Sequence, residues 1–494
     1  MSDSSTLVNK LWSFCNVLKD DGVGMLDYTE QLTYLLFLKM AHERETRALN
    51  PEVIIPKDCS WQLLLDAEGV ELESTYKEIL ETLSRQSGTL GVIFRKAQNK
   101  IQDPAKLKRL IVDLIDKENW SATGVDIKGD AYEGLLAKGA EDIKSGAGQY
   151  FTPRALIAAM VDVIQPTAKD KVHDPACGTG GFLLESYEYA SSQVNLSPTD
   201  REHLRDNFVS GIELVDSTAR LAAMNMILHG MGTPQGPSPI EVRDALTTDP
   251  GNRYSVVLAN PPFGRKSSDT FVGEDGKLNK SYIEIVRDDF WATTSNKQLN
   301  FVQHIKTIMD INGRAGVVLP DNVLFEGGAG ETVRRRLLTE FDVHTLLRLP
   351  TGIFYAGGVK ANVLFFDKKP AAEKPWTSNL WVYDFRTNQH FTQKTMSMKR
   401  GHLDNFVECF QAGNRHNRIE SERFKKFTFE ELMARDNVNL DLIWLKDDSL
   451  EDAANLPAPE VIAREIMENL ESALSEFSAI AEALELGKSS DAAT

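Results

Sequence analysis

At 494 residues the chain exceeds what one hydrophobic core organises, so it reads as two to four domains, each able to bury its own core. Hydrophobic residues at 42% and charged residues at 26%, with no long low-complexity tract, exclude wholesale disorder. A formal net charge of −17 excludes a surface that grips nucleic-acid phosphate everywhere, since that binding depends on Lys and Arg releasing counterions; either a groove is locally basic or another chain supplies most backbone contacts.

The opening Met1-Ser2-Asp3-Ser4-Ser5-Thr6 has no basic leader, and the longest apolar run, near Tyr34-Leu35-Leu36-Phe37-Leu38, is far shorter than a bilayer span. A cytoplasmic protein without membrane contact is expected. Cys15, Cys59, Cys177 and Cys409 are scattered, with no Cys-x-x-Cys pair and no histidine at ligand spacing, which argues against disulfides and against a metal site.

From Leu7 to about Ala140 apolar residues recur at three and four spacing, in Leu7, Leu11, Phe14, Cys15 and Leu18 and again in Leu107, Leu110, Ile111 and Leu114. This predicts an N-terminal helical domain over 1–145. Small and polar residues between Lys138 and Gln149 mark a loop and a boundary. Over 146–390 short β-branched runs alternate with helical stretches, with candidate strands at 171–173, 209–212, 256–259, 316–319, 345–349 and 363–366. The alternation predicts an α/β domain with a mostly parallel sheet, whose ligands bind outside the carboxyl ends of the strands.

The first strand runs into Asp174-Pro175-Ala176-Cys177-Gly178-Thr179-Gly180-Gly181, a strand, glycine turn and helix start in succession. Glycines let the backbone turn sharply and let a ligand lie against it without a Cβ in the way. The spacing lacks the third glycine of the dinucleotide fingerprint, which disfavours NAD, although a structural or other nucleotide-binding turn remains a competing reading. The second strand ends in Glu213, an acid placed to accept hydrogen bonds from the ribose hydroxyls of an adenosine moiety, against the plain reading of a solvated carboxylate. Asp244, after a further short apolar run, could meet the adenine amino group of the same cofactor.

A buried strand then stops at Asn260-Pro261-Pro262-Phe263. The prolines cannot continue a ladder and fix φ, so the Asn side chain and the Pro261 carbonyl are held in a rigid turn at the sheet's edge. An exocyclic amine is a poor nucleophile because its lone pair is delocalised into the ring. Two fixed acceptors, Asn260 Oδ1 and the Pro261 carbonyl, can take its two hydrogens and favour a tetrahedral nitrogen, acting as preorganised electrostatics. Phe263 would offer a stacking face to a base rotated out of the duplex. Read after the Gly178 turn, the tetrad indicates methyl transfer from S-adenosylmethionine to an amine; alone, it is also a turn sequence. Arg265 and Lys266 just beyond it could touch phosphate or simply be solvated.

After Asp384 the regularity weakens, and the region 391–494 ends in a helix after Pro457-Ala458-Pro459. Its apolar positions Ile462, Ile466, Leu470, Leu474, Phe477, Ile480 and Leu484 form a stripe that needs a surface, either a partner helix or the chain's own helical domain. No phosphate loop of the Gly-x-x-x-x-Gly-Lys-Ser/Thr type is present, so ATP-driven motion would belong to another chain.

In order, Gly148-Gln149-Tyr150-Phe151-Thr152-Pro153-Arg154, the Asp174 to Phe182 turn, Glu213 and Asn260 to Phe263 resemble the modification (methylase) subunits of type I restriction-modification systems, the HsdM family. The resemblance extends over nearly the whole chain, including the Tyr34 to Lys39 segment; Cys177 stands where this turn often has alanine. It implies a Rossmann-like S-adenosylmethionine-dependent methyltransferase sheet with an N-terminal helical domain and a C-terminal helical tail. The activity it implies is adenine-N6 methylation of double-stranded DNA. Gln149, Tyr150, Phe151, Thr152, Pro153 and Arg154 would fold over the methionine end of the cofactor, with Asp174, Gly178, Thr179, Gly180, Gly181, Glu213 and Asp244 completing its site. The implied partners are a specificity subunit that reads the sequence, a second modification subunit, and a restriction or translocase subunit where one exists. The competing activities are methylation of a glutamine amide or an RNA base, or a catalytically idle scaffold.

Overall fold

The computed structural model describes residues 25–47, 53–118, 120, 152–263, 268–272, 278–282, 284–354, 359–392, 396–446 and six positions between 459 and 470. Leu7 to Leu18, the loop at 139–149, Gln149, Tyr150, Phe151, Arg265 and Lys266 lie outside the described residues, as do Ile462, Ile466, Leu474, Phe477, Ile480 and Leu484 of the tail stripe.

The described N-terminal part is helical: α1 (Met25–Arg47), α2 (Trp61–Asp66), α3 (Gly69–Ser84), α4 (Gly88–Phe94) and α5 (Pro104–Lys108), the last running into a π-helical turn at Arg109–Ile115. Helix α3 buries Leu72, Tyr76, Ile79, Leu80 and Leu83, one face at three and four spacing. Helix α5 starts where it does because Asp103 accepts a hydrogen bond from the Ala105 N–H and Pro104 needs no backbone partner. Leu107, Leu110, Ile111 and Leu114, picked out by periodicity, are all fully buried. Lys39 is buried too, and its charge is met by Asp116 at 2.6 Å, which also accepts from Trp61 Nε1 at 2.8 Å. No helix among the described residues is long and apolar enough to cross a membrane.

Beyond α6 (Arg154–Ile164) the chain builds a nine-stranded mixed sheet of order β11-β10-β8-β9-β7-β4-β1-β2-β3. Its strands are β1 (Val172–Asp174), β2 (Val209–Glu213), β3 (Ile240–Val242), β4 (Tyr254–Ala259), β7 (Met309–Pro320), β8 (Phe341–Arg348), β9 (Ala361–Lys368), β10 (Asn379–Asp384) and β11 (Phe424–Thr428). β5 (Ser268–Val272) and β6 (Leu278–Tyr282) form a separate antiparallel pair. Strands β3, β2, β1, β4 and β7 are mutually parallel; β9 runs antiparallel between β7 and β8.

All six strands expected from sequence are present, and β3, β10 and β11 join them. Position 390 is not the end of the sheet, because β11 pairs antiparallel with β10, Tyr383 opposite Phe424. Strand β4 shows why its run reads as continuously apolar. Val256 and Leu258 point into one core with α6, α7 (Gly181–Ser191) and α9 (Asp216–Leu228), α8 (Pro198–Asp206) lying between the latter two in the chain; Val257 and Ala259 point into a second core with α10 (Lys297–Ile308) and α12 (Ala329–Glu340), α11 (Asn322–Phe325) preceding α12. The first core is continuous with that of the N-terminal helices. Arg44 Nη1 donates to the Ile227 and Leu228 carbonyls at the end of α9, and Arg220 on α9 pairs with Glu30 and donates to the Arg95 carbonyl.

The chain leaves β1 toward β2 and β3 and returns on the other side of β1 as β4. That reversal opens a crevice at the carboxyl ends of β1 and β4, the position at which open parallel sheets bind ligands.

Candidate active site

Asp174 closes β1, and its Oδ1 accepts the Ala176 N–H at 2.9 Å, folding the chain back at the strand end. The Cys177 N–H donates to the Ile212 carbonyl of β2, and the Gly180 N–H to the Cys177 carbonyl, closing the turn. Gly178 (φ +55°) and Gly180 (φ +87°) both need the left-handed region, but for different ends. A Cβ on Gly180 would lie 2.8 Å from Met226 Cε, whereas a Cβ on Gly178 would meet no atom of the described residues within 4 Å. Gly180 allows close packing on α9; Gly178 presents bare backbone to open space. Gly181 begins α7, and the Thr179 carbonyl accepts from Asn225 Nδ2 at 3.0 Å.

Glu213 ends β2 beside this turn. Its Oε2 accepts the Gly178 N–H at 3.0 Å and its Oε1 the Val215 N–H at 2.8 Å, while partial burial raises its pKa. Burial, opposed by the Ala176 N–H and helped by the Glu213 charge, pushes the Asp174 carboxyl up to about 8. The Arg243 N–H donates to the Glu213 carbonyl at 3.2 Å, which sets the chain after β3 next to the end of β2. Asp244 there is exposed, and its Oδ1 accepts the Leu246 N–H at 2.9 Å.

Asn260 follows the last residue of β4 and is 5% exposed. Its Nδ2 donates to Thr152 Oγ1 at 2.9 Å, while its buried Oδ1 has no hydrogen-bond partner among the described residues. A buried carbonyl oxygen without a donor is unfavourable by about 1–3 kcal/mol, and such an exception calls for a functional explanation. The Pro262 carbonyl accepts from Gln298 Nε2 at 2.8 Å. Phe263 is nearly buried and meets Phe354 edge-on, ring centroids 5.6 Å apart at 89°. Pro153 caps α6 and Arg154 is its first residue, so Thr152 joins the string before α6 to the tetrad.

The structure thus brings Asp174, the glycine turn and Glu213 together at the carboxyl ends of β1 and β2, and sets Asn260 at the same end of the neighbouring β4. Sequence reading did not single out Asn225, Gln298 or Phe354. Asn225 carried a faint signal, a polar side chain amid the apolar residues of α9; Gln298 and Phe354 carried none without the fold.

The chain is 37% identical, over 535 aligned positions covering 99% of it and 97% of the relative, to the type I restriction enzyme StySJI methylase subunit of Salmonella typhimurium strain LT2. The chain belongs to the type I restriction-modification methylase subunits. Within it, residues 7–114 match the HsdM N-terminal domain and residues 123–444 the N-6 DNA methylase family, a span that takes in β11. As a member, the chain is an N-6 DNA methylase subunit. The crystal structure of the EcoKI M protein is similar at TM-score 0.53 and 33% identity, covering 97% of this chain and 96% of that one. A modification subunit of a type I restriction enzyme from Vibrio vulnificus YJ016 is similar at TM-score 0.70 and 25% identity, covering 87% and 94%.

Proposed function

We propose that this methylase subunit transfers a methyl group from S-adenosylmethionine to N6 of an adenine turned out of duplex DNA, at sites chosen by a separate specificity subunit. The observation that carries this reading is the buried, unpartnered Oδ1 of Asn260 at the carboxyl edge of β4. An acceptor held there without a donor suits an incoming N–H.

The residues of the crevice fit the cofactor. Gly178 offers a backbone that a ligand can approach, Glu213 an acceptor carboxylate for ribose hydroxyls, and Asp174 a second carboxyl beside a cationic molecule. When bound, the cofactor supplies a methyl group on a sulfonium. Asn260 Oδ1 and the Pro261 carbonyl accept the two amine hydrogens, which localises the lone pair on nitrogen and stabilises the positive charge that builds there. Phe263 and Phe354, meeting edge to face, form an aromatic wall for the base. No side-chain base is required before transfer, because the amine sheds its proton to solvent once it is alkylated.

The net charge of −17 supports a division of labour in which a specificity subunit and a second methylase subunit complete the grip on DNA. The tail supports the same arrangement: Leu470, the described position of the stripe, is helical and 63% exposed, as an unpaired docking stripe would be. The test is transfer of labelled methyl to mixed-sequence duplex DNA by the full chain and by a chain ending at Pro459, each with and without the specificity subunit. Label in adenine that requires the subunit, and co-elution lost on truncation, are expected. Label in protein or RNA but not DNA contradicts the activity; unchanged co-elution contradicts the docking role.

A further inference from the structure

Two side chains outside the tetrad hold it from opposite ends. Thr152 is buried, and its hydroxyl accepts from Asn260 Nδ2 at 2.9 Å. Gln298, in the first turn of α10, is buried and donates from Nε2 to the Pro262 carbonyl at 2.8 Å. Gln298 is itself fixed: Asn296 caps the helix by accepting the Gln298 and Leu299 N–H groups at 3.0 and 3.2 Å. Asn296 Nδ2 in turn donates to Glu326 Oε2 at 2.6 Å.

A primary amide can present either its oxygen or its NH2 group to whatever faces it, the two orientations differing by a half-turn of similar shape. The Thr152 hydroxyl could meet either end, so its bond fixes where the amide lies; here it accepts from Nδ2, and among the described residues the atom left without a partner is the acceptor Oδ1. An amine substrate needs that acceptor, because an NH2 group in the same place would set donor against donor. At the other end, the Gln298 bond occupies the Pro262 carbonyl and fixes the plane of its peptide. The preceding carbonyl, that of Pro261, then remains as the second acceptor of the rigid turn.

We propose that Thr152 and Gln298 are positioning residues for methyl transfer, Thr152 anchoring the Asn260 amide beside the amine and Gln298 holding the two-proline turn so that the Pro261 carbonyl reaches the same nitrogen. This deepens the methyl-transfer reading and rests on it. It also places Thr152 on the acceptor side of the site instead of with the cofactor string that precedes it.

The test uses the full chain assembled with its specificity subunit and compares Thr152→Val, Thr152→Ser and Gln298→Met. Valine removes the hydroxyl at nearly constant volume, serine restores it, and methionine removes only the donor. Three quantities are read: the single-turnover methylation rate, the Kd for S-adenosylmethionine by direct titration, and the melting temperature. Thr152→Val and Gln298→Met slow transfer about tenfold to a hundredfold with cofactor Kd within about twofold of wild type, and Thr152→Ser recovers most of the rate. Weaker cofactor binding by Thr152→Val at an unchanged rate assigns Thr152 to the cofactor and overturns the proposal. An unchanged rate in both variants overturns it as well, as does a loss that serine does not rescue and that follows the melting temperature. If valine prevents folding, Thr152→Ala is read against Thr152→Ser in the same way. Failure of the wild-type complex to form N6-methyladenine would instead sink the parent reading, and that is visible before any variant is compared.

Discussion

Asp174, proposed to face the cofactor, is a buried carboxyl set against the stability of its own site. Its folded-state pKa, about 8, lies above the ordinary carboxylate value, so between roughly pH 4 and 8 the folded chain binds the extra proton and folding weakens as pH rises. Asp174→Asn keeps an oxygen for the Ala176 N–H and removes the ionisation, so the variant is expected to melt higher than wild type at pH 8 and no differently near pH 4. Its affinity for the cationic cofactor should fall. Thermal melts at the two pH values with a cofactor titration check both signs, and an Asn variant that melts lower at pH 8 contradicts the assignment. Asp174, Glu213 and Asn260 were legible in sequence because each terminates a strand, and strand ends are marked by local chemistry. Thr152 and Gln298 were not, since they reach the tetrad across 108 and 36 residues of chain and only the fold makes them neighbours.

At the scale of elements, the turn from β1 to α7 separates a glycine that packs from one that leaves room. Gly178→Ala and Gly180→Ala both pay about 1–2 kcal/mol for a positive φ. Gly180→Ala adds a contact with Met226, so it should lower the melting temperature more. Gly178→Ala, whose Cβ enters open space, should instead lose more cofactor affinity per degree of stability lost. Calorimetry and titration of the pair decide it; equal ratios of affinity loss to stability loss would remove the distinction between their roles. The strands that sequence missed have physical reasons for being quiet. β3 is three residues long, and β11, Phe424-Lys425-Lys426-Phe427-Thr428, carries the adjacent lysines that suit an edge strand. Strands β4, β7 and β9 were legible because burial on both faces makes their runs continuously apolar, whereas β1 and β2 were marked by the turn residues that follow them.

The molecule as a whole joins its N-terminal helices to the sheet through one core, so the two should melt together in a single transition. Acid should undo that unit in a defined window. Burial depresses His173 and His304 to about 3 and His344 to about 4, with Arg287 and Arg243 adding to the effect at His304. Each is therefore neutral when folded and titrates near 6.5 when unfolded. The unfolded chain binds more protons below about pH 6.5, so their contribution is fully present above that pH and is lost progressively toward pH 3. Denaturant midpoints measured from pH 6.5 down to pH 5 should fall, since there three histidines outweigh the single opposing proton of Asp174, and a flat profile would show that these histidines are not held neutral. At this scale the sheet reaches past 390, because β11 returns to pair with β10 and that pairing leaves no local trace in the sequence.

The central claim concerns one atom, the unpartnered Oδ1 of Asn260. Asn260→Ala, assembled with the specificity subunit, should be assayed for N6-methyladenine by mass spectrometry of digested DNA, alongside a direct cofactor titration. The account predicts at least about a hundredfold loss of methyl transfer with cofactor affinity nearly unchanged. Methylation at the wild-type rate, or loss explained by failed cofactor binding, would contradict it.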